Sequence, residues 1–219
     1  MTLEAVNRAM AGAAQRSGRE VKGITLIAVG KTHPLESLLQ LYQAGHRDFG
    51  ENRAAELATK AAAMPPDVRW HFIGPLQRNK VRLVRPVVQL LHSMDRLKLG
   101  EAWLKGPGTA PPVLLEVNLA NEPQKSGVLV ADAPAMADRL VALGLDLRGL
   151  MAIPPLMESP GQTRAYFRRL ARLRDELAAA HPAVQELSMG MTDDFELAIE
   201  EGATMIRVGR AIFGPRVEQ

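Results

Sequence analysis

Apolar and polar positions along this chain fall into two alternating textures. One is a short, nearly unbroken apolar run; the other is a longer stretch with an apolar residue every three or four positions. The first suits a parallel strand buried on both faces, the second an amphipathic helix. Residues 2–17 open with the helical texture and end at Gly18. Residues 24–30 then read as a strand, and 35–44 as a helix closed by Gly45. A strand end at 48–52 feeds a helix over 53–64, which Pro65-Pro66 stops. Further strands are predicted at 68–74, 87–92, 113–119, 147–153, 184–189 and 204–208. Helices at 77–84, 96–104, 131–143, 163–180 and 194–201 lie between them, and a short turn begins at Arg210.

A strand followed by a helix, repeated about eight times with no second run of strands, argues for a parallel sheet covered by helices. Eight units in roughly 190 residues suit an α/β fold of the TIM type, a single (β/α)8 barrel. The helix over 1–20 is then an extra element packed on it, and the barrel takes up the chain, 1–219, as one domain. An open doubly wound sheet is the alternative. Chemistry in such a barrel sits where strands end and helices begin, which singles out Lys31, Asn52, Gly74, Asn118, Met151, Ser188 and Arg207.

Lys31 ends an apolar strand and is followed by Thr32, His33 and Pro34, a proline that disfavours helix just before it. Desolvation at such a place disfavours the ammonium form and prepares the amine to attack carbonyls. The plainer reading is a lysine snorkelling to solvent. Gly30-Lys31-Thr32 also suggests a phosphate-cradling P-loop, but that motif needs a glycine where Thr25 stands.

Two other strand ends carry a second signal. Ser188-Met189-Gly190-Met191-Thr192 leaves the seventh strand and Arg207-Val208-Gly209-Arg210 the eighth. Loops at these places often bind phosphate through amides at a short helix start. Gly209 would let the backbone approach an anion, the Arg210 amide would point the same way, and the Ser188 hydroxyl could donate to it. The competing reading is a serine in a turn, with Thr192 or Asp193 capping the next helix. Arg207, in an otherwise apolar strand, needs an acceptor: an ion-pair partner or a ligand ring nitrogen.

Composition narrows the field. Hydrophobic residues make up 47% of the chain and aromatic ones 4%, so the core is aliphatic. The absence of cysteine excludes disulfides and thiolate chemistry. No apolar run is long enough to span a bilayer, and the opening helix lacks a signal peptide's apolar centre; a cytoplasmic, non-membrane protein is expected. With 27 basic against 24 acidic residues the surplus is +3. The densest basic stretch, Arg164, Arg168, Arg169, Arg172 and Arg174, alternates with Phe167, Leu170, Leu173 and Leu177, as a solvated helix face does. Arg78, Lys80, Arg82 and Arg85 add little to a nucleic-acid reading, and no nucleic-acid partner is expected. The five histidines, at 33, 46, 71, 92 and 181, have no metal-ligand spacing. Met151, Met157, Met189 and Met191 read as packing residues.

These residues resemble a known family, the pyridoxal phosphate homeostasis proteins of the alanine racemase-like barrel type. The likeness is carried by Ala28-Val29-Gly30-Lys31-Thr32, Phe49-Gly50-Glu51-Asn52, Trp70-His71-Phe72-Ile73-Gly74-Pro75-Leu76-Gln77 with Asn79-Lys80, and Lys125-Ser126-Gly127. It continues through Arg148-Gly149-Leu150-Met151-Ala152-Ile153-Pro154, Leu187-Ser188-Met189-Gly190-Met191 with Asp193-Asp194, and Arg207-Val208-Gly209 to Ile212-Phe213-Gly214. The resemblance implies that Lys31 forms a Schiff base with pyridoxal 5'-phosphate (PLP). It implies that Ser188 and the Gly209 and Arg210 amides hold the phosphate, with Gly190 in the same loop, and that Arg207 faces the pyridine nitrogen. Asn52, His71 and Met151 match positions near the cofactor. An arginine only donates, so the ring nitrogen would stay unprotonated and the cofactor would be a weak electron sink. Two departures stand out: Gly30 where the family usually has serine, and Arg210 where it often has threonine. No aromatic in the segment 215–219 could serve the site.

Three functions compete. The first, which the resemblance favours, is a non-catalytic carrier that binds and releases PLP in its intracellular homeostasis, as a monomer rather than a dimer, with PLP-dependent apoenzymes as the implied recipients. The second is a PLP-dependent racemase-type enzyme, but a two-base racemase needs a tyrosine from a second domain, and Tyr42 and Tyr166 both fall in predicted helices. The third is a Schiff-base aldolase using Lys31 directly on a sugar phosphate.

Overall fold

The structure is a computed structural model and describes residues 2–155 and 159–214; Met157 and the segment 215–219 lie outside the described residues. Eight strands form a parallel ring: β1 (Thr25–Val29), β2 (Asp48–Glu51), β3 (Arg69–Phe72), β4 (Val88–Met94), β5 (Val113–Asn118), β7 (Leu147–Met151), β8 (Glu186–Ser188) and β9 (Met205–Val208). A two-residue strand, β6 (Val128–Leu129), pairs with β5 outside the ring. β4 pairs with β5, and β1 pairs with β9 through Leu26↔Ile206 and Ile27↔Arg207, so the sheet closes on itself. The closed barrel is borne out and the open sheet is not.

The helices are α1 (Leu3–Arg16), α2 (Leu35–Gln43), α3 (Ala54–Ala63), α4 (Val81–Val84), α5 (Leu97–Lys105), α6 (Ala133–Ala142), α7 (Pro160–Ala180), α8 (Phe195–Glu200) and α9 (Arg210–Phe213). Their apolar faces and the outward strand residues make one large core cluster, while Leu90, Leu114 and Met151 pack separately, with Met205 against them. Both faces of the strands are therefore buried, which is why they read as unbroken apolar runs.

Some boundaries differ from the sequence pattern. β4 runs to Met94 instead of stopping at 92, because Ser93 is buried and its hydroxyl donates to the Gly74 carbonyl at 2.6 Å. α7 begins at Pro160 instead of 163. Ser159 caps it by accepting from the Gln162 amide at 3.3 Å, while the Gln162 side chain accepts from the Ser159 amide at 3.1 Å. The helix expected over 77–84 divides into a 3-10 turn, Arg78–Lys80, and α4.

α1 buries Val6, Met10, Ala13 and Ala14 and packs against α8. Arg16 at its end reaches Glu196 and Glu200, both at 2.7 Å. From the other side Arg164 pairs with Glu200 and Glu201, and Arg168 with Glu201. Much of the basic face of α7 is thus engaged within the molecule, while Phe167, Leu170, Leu173 and Leu177 face the core as expected. Among the described residues no helix is long and apolar enough to cross a membrane.

Candidate functional site

Lys31 stands, part-buried, on a tight turn at the end of β1. The turn is closed by the His33 amide donating to the Gly30 carbonyl at 3.1 Å. Thr32 has φ 63°, a left-handed conformation unfavourable for a β-branched residue, so something must hold it there. Its amide donates to Glu56 Oε1 at 2.7 Å. Lys60 Nζ, on α3, donates to the Gly30 carbonyl, to Glu51 Oε1 and to Glu56 Oε1, each at 2.7 Å. Lys60 and Glu51 are both buried, so one ammonium shared by two carboxylates and a carbonyl underlies the Lys31 turn. Burial pushes the Glu51 carboxyl up to about 7, against the pull of Lys60. Gly30 has a local reason: a Cβ there would sit 3.0 Å from the Leu38 side chain.

The β1–β9 pairing sets this turn beside the loop that leaves β9. A Cβ on Gly209 would lie 3.2 Å from the Val29 carbonyl, and the rings of His33 and Phe213 stack at 4.9 Å. Gly209 is the N-cap of α9, whose first amides have no partner within the helix. The Arg210 side chain turns outward to an exposed ion pair with Asp193. Asp194, not Thr192 or Asp193, takes the N-cap position of α8, and its Oδ1 accepts from the Met191 amide at 2.6 Å. Gly190 adopts φ 90° and accepts from the Arg207 amide at 3.0 Å.

Arg207 is buried, with Nη1 donating to Ser188 Oγ at 2.5 Å and Nη2 to the Ala152 carbonyl at 2.9 Å. Burial lowers its pKa to about 10, so it remains a cation at neutral pH. Ser188 continues inward: its Oγ lies 2.8 Å from His92 Nδ1, His92 Nε2 lies 3.0 Å from His71 Nδ1, and His71 Nε2 lies 3.2 Å from Asp48 Oδ1. Arg69 closes the series with two bonds to Asp48, at 2.8 and 2.5 Å. Asp48 and Arg69 begin their strands, so this series runs from the Lys31 end of the barrel to the opposite end.

Of the residues singled out in the sequence, Arg207, Ser188 and Gly190 are in direct contact, and Met151 is the register partner of Ser188. Asn52 follows β2 at the same end as Lys31; its Oδ1 is buried without a hydrogen-bond partner, and its backbone is so close to Gly74 that a Cβ there would lie 2.4 Å from the Asn52 carbonyl. His71 lies deeper, both ring nitrogens engaged. Sequence reading missed Lys60, His92 and Glu116. Only Glu116 left a signal, a lone carboxylate in the apolar run Val113-Leu114-Leu115-Glu116-Val117.

Glu116 is buried with Oε2 unpartnered, and burial, helped by Asp95 and opposed by Arg207, raises its pKa to about 7. A carboxyl raised in the folded state favours folding below its unfolded value, and this contribution is lost as pH rises through about 7. Glu116→Gln is therefore expected to gain stability relative to the parent between pH 4.5 and 8, by roughly 3 kcal/mol over that window. Urea unfolding across this range checks it; parallel curves would refute it.

A closed parallel barrel with a lysine leaving its first strand and a glycine-led helix start beside it defines a (β/α)8 barrel with an amine and an anion-binding turn at one mouth. The family model for the alanine racemase N-terminal domain matches residues 3–217. The chain is 44% identical over 210 residues to the pyridoxal phosphate homeostasis protein of Pseudomonas aeruginosa, covering 93% of this chain and 90% of that protein. It is 41% identical to that of Aquifex aeolicus, covering 93% and 92%. The structure of PipY from Synechococcus elongatus, solved with PLP bound, aligns with a TM-score of 0.81 at 37% identity, covering 94% of this chain and 99% of that one. The chain belongs to the alanine racemase N-terminal domain family, and within it to the pyridoxal phosphate homeostasis proteins.

Proposed function

We propose that this protein binds pyridoxal 5'-phosphate reversibly on Lys31 and serves in its homeostasis, without strong catalytic activity of its own. The observation that carries this reading is the β1–β9 pairing, which sets the Lys31 turn against the Gly209–Arg210 turn. When bound, PLP supplies an aldehyde that condenses reversibly with an amine. The polar groups fit such a group: donors in the amides at the start of α9 and a buried guanidinium, and an acceptor in the unpartnered Asn52 Oδ1 at the same end. Lys31 would hold it covalently, and Ser188 with the Gly209 and Arg210 amides would hold its phosphate beside Gly190. Arg207 would donate to the ring nitrogen, while Asn52, Met151 and His71 would support the site.

Arg207 decides the chemical character of the site. A guanidinium offers hydrogens only, so Arg207 would leave a ring nitrogen facing it unprotonated and a weak electron sink. This suits storage better than catalysis. Among the described residues neither tyrosine is placed as a second base for a racemase-type reaction: Tyr42 is tied to Asp67 at 2.6 Å, and Tyr166 packs against the core. In the proposed role the whole chain acts as one PLP-binding domain, monomeric and cytoplasmic, with apoenzymes as recipients.

The purified protein is expected to be yellow, and borohydride to fix the cofactor on Lys31, as peptide mass analysis would show. Lys31→Ala is expected to lose this labelling. Full labelling of Lys31→Ala would refute the site. Exchange of an amino acid's α-proton well above the rate with unbound PLP would favour the enzyme.

A further inference from the structure

We propose that His92 and His71 are positioning residues for the Ser188 hydroxyl, and that donating this hydroxyl to a phosphate at the barrel mouth takes up one proton at His71. This rests on the reading above, in which Ser188 helps to hold the phosphate.

The two ends of the buried series set the direction of its hydrogens. Arg207 has hydrogens only, so Ser188 Oγ accepts from it. At the other end, burial alone would raise the Asp48 carboxyl, but hydrogen bonds from Arg69 and His71 hold it well below the usual carboxylate range. Asp48 is therefore an acceptor, and His71 Nε2 carries a hydrogen towards it. In the proposed ligand-free arrangement His71 is neutral; its Nδ1 is then the acceptor and His92 Nε2 the donor. His92 Nδ1 then accepts, and the Ser188 hydroxyl donates to it. Hydrogens point one way throughout, from Arg207 through Ser188, His92 and His71 to Asp48, and every contact is satisfied.

A serine has one hydroxyl hydrogen, and here it is committed to His92. Turning it to a phosphate leaves two lone pairs facing each other across 2.8 Å in a site with no solvent exposure at Ser188 or His92, and a buried polar atom left unpaired is costly. The contact is restored if His92 Nδ1 carries the hydrogen instead. The proton on His92 Nε2 then passes to His71 Nδ1, His71 keeps its Nε2 proton on Asp48, and one proton enters from solvent. The result is a neutral His92 and a charged His71 beside a carboxylate.

The surroundings fit that division. His92 meets Ser188 from β8, Arg207 from β9 and His71 from β3; burial, His71 and Arg207 all oppose a charge on it. His71 meets Asp48 from β2, which Arg69 also holds, and His46 bonds the Asp48 carbonyl. Glu116 and Asp194 act on Arg207.

Nitrogen-15 NMR of the histidine rings tests the inference, using the full-length protein with and without saturating PLP at pH 8. Without PLP, both rings are expected to be protonated at Nε2 alone. With PLP, His92 is expected to carry its hydrogen on Nδ1 and His71 to carry both. Calorimetry in two buffers of different ionisation enthalpy should show the parent taking up about one proton more than His71→Gln, and Ser188→Ala should weaken PLP binding by tenfold or more. Unchanged ring states with a weakened Ser188→Ala would overturn this inference alone. Unchanged affinity of Ser188→Ala would overturn the phosphate assignment of Ser188, and the inference with it.

Discussion

Lys60→Met is expected to lower the unfolding free energy by about 3–5 kcal/mol at pH 8, the usual cost of removing one partner of a buried ion pair. Lys60 is the only group within hydrogen-bond reach of both Glu51 and Glu56 among the described contacts, and it also holds the Gly30 carbonyl. Without it, Glu51 at pH 8 must either stay a buried unpaired anion or take up a proton on folding, both costly, and its Oε2 already lacks a partner. The loss should shrink at pH 5, because a Glu51 carboxyl raised to about 7 is then protonated and needs no counter-ion. Combining Lys60→Met with Glu51→Leu should recover part of the stability, since an apolar pair replaces the uncompensated charge. Urea denaturation at both pH values measures this. Equal losses at pH 5 and pH 8 would show that the charge is not the cause. The single variant should also loosen the Thr32 turn that presents Lys31.

Gly149→Ala should be at least as damaging, with a loss of about 3 kcal/mol or more. Gly149 is the register partner of Glu186, and a Cβ there would lie 2.0 Å from the Glu186 carbonyl oxygen and 2.6 Å from its carbon. These are backbone atoms, which cannot swing aside as a side chain does. β7 and β8 would have to part, and Met151↔Ser188 belongs to the same short ladder. Gly161→Ala is the contrast: nothing lies within 4 Å of its would-be Cβ, and in helix α7 alanine should be neutral or stabilising. A Gly149→Ala protein melting with its parent would refute the close approach.

The barrel was legible because closure buries each strand twice, leaving runs such as 26–29 and 113–115 free of polar residues. For the same reason Lys31 and Arg207 stood out against their surroundings. Other parts left no such trace. Lys60 looks like any charge on a helix until α3 is packed over Gly30. His71 and His92 are 21 positions apart and meet only because neighbouring strands pair, with a register shift between Trp70 and His71. A search for short histidine spacings cannot find them. β6 is two residues long, below what periodicity can detect. The start of α7 was readable in Ser159, Pro160 and Gln162, but its capping box lies ahead of the first core-facing residue, Thr163.

The β1–β9 seam also governs when the protein can begin to work during its own synthesis. β1 emerges from the ribosome early, yet its second neighbour, at residues 205–208, arrives only near the end of the described chain. At roughly 5–20 residues per second, tens of seconds of translation or less separate the two. Through that interval Lys31 has no Gly209 turn beside it and one edge of β1 is unpaired. A nascent chain would therefore be an aggregation hazard first and a ligand holder only afterwards, with both conditions changing at the same closing event.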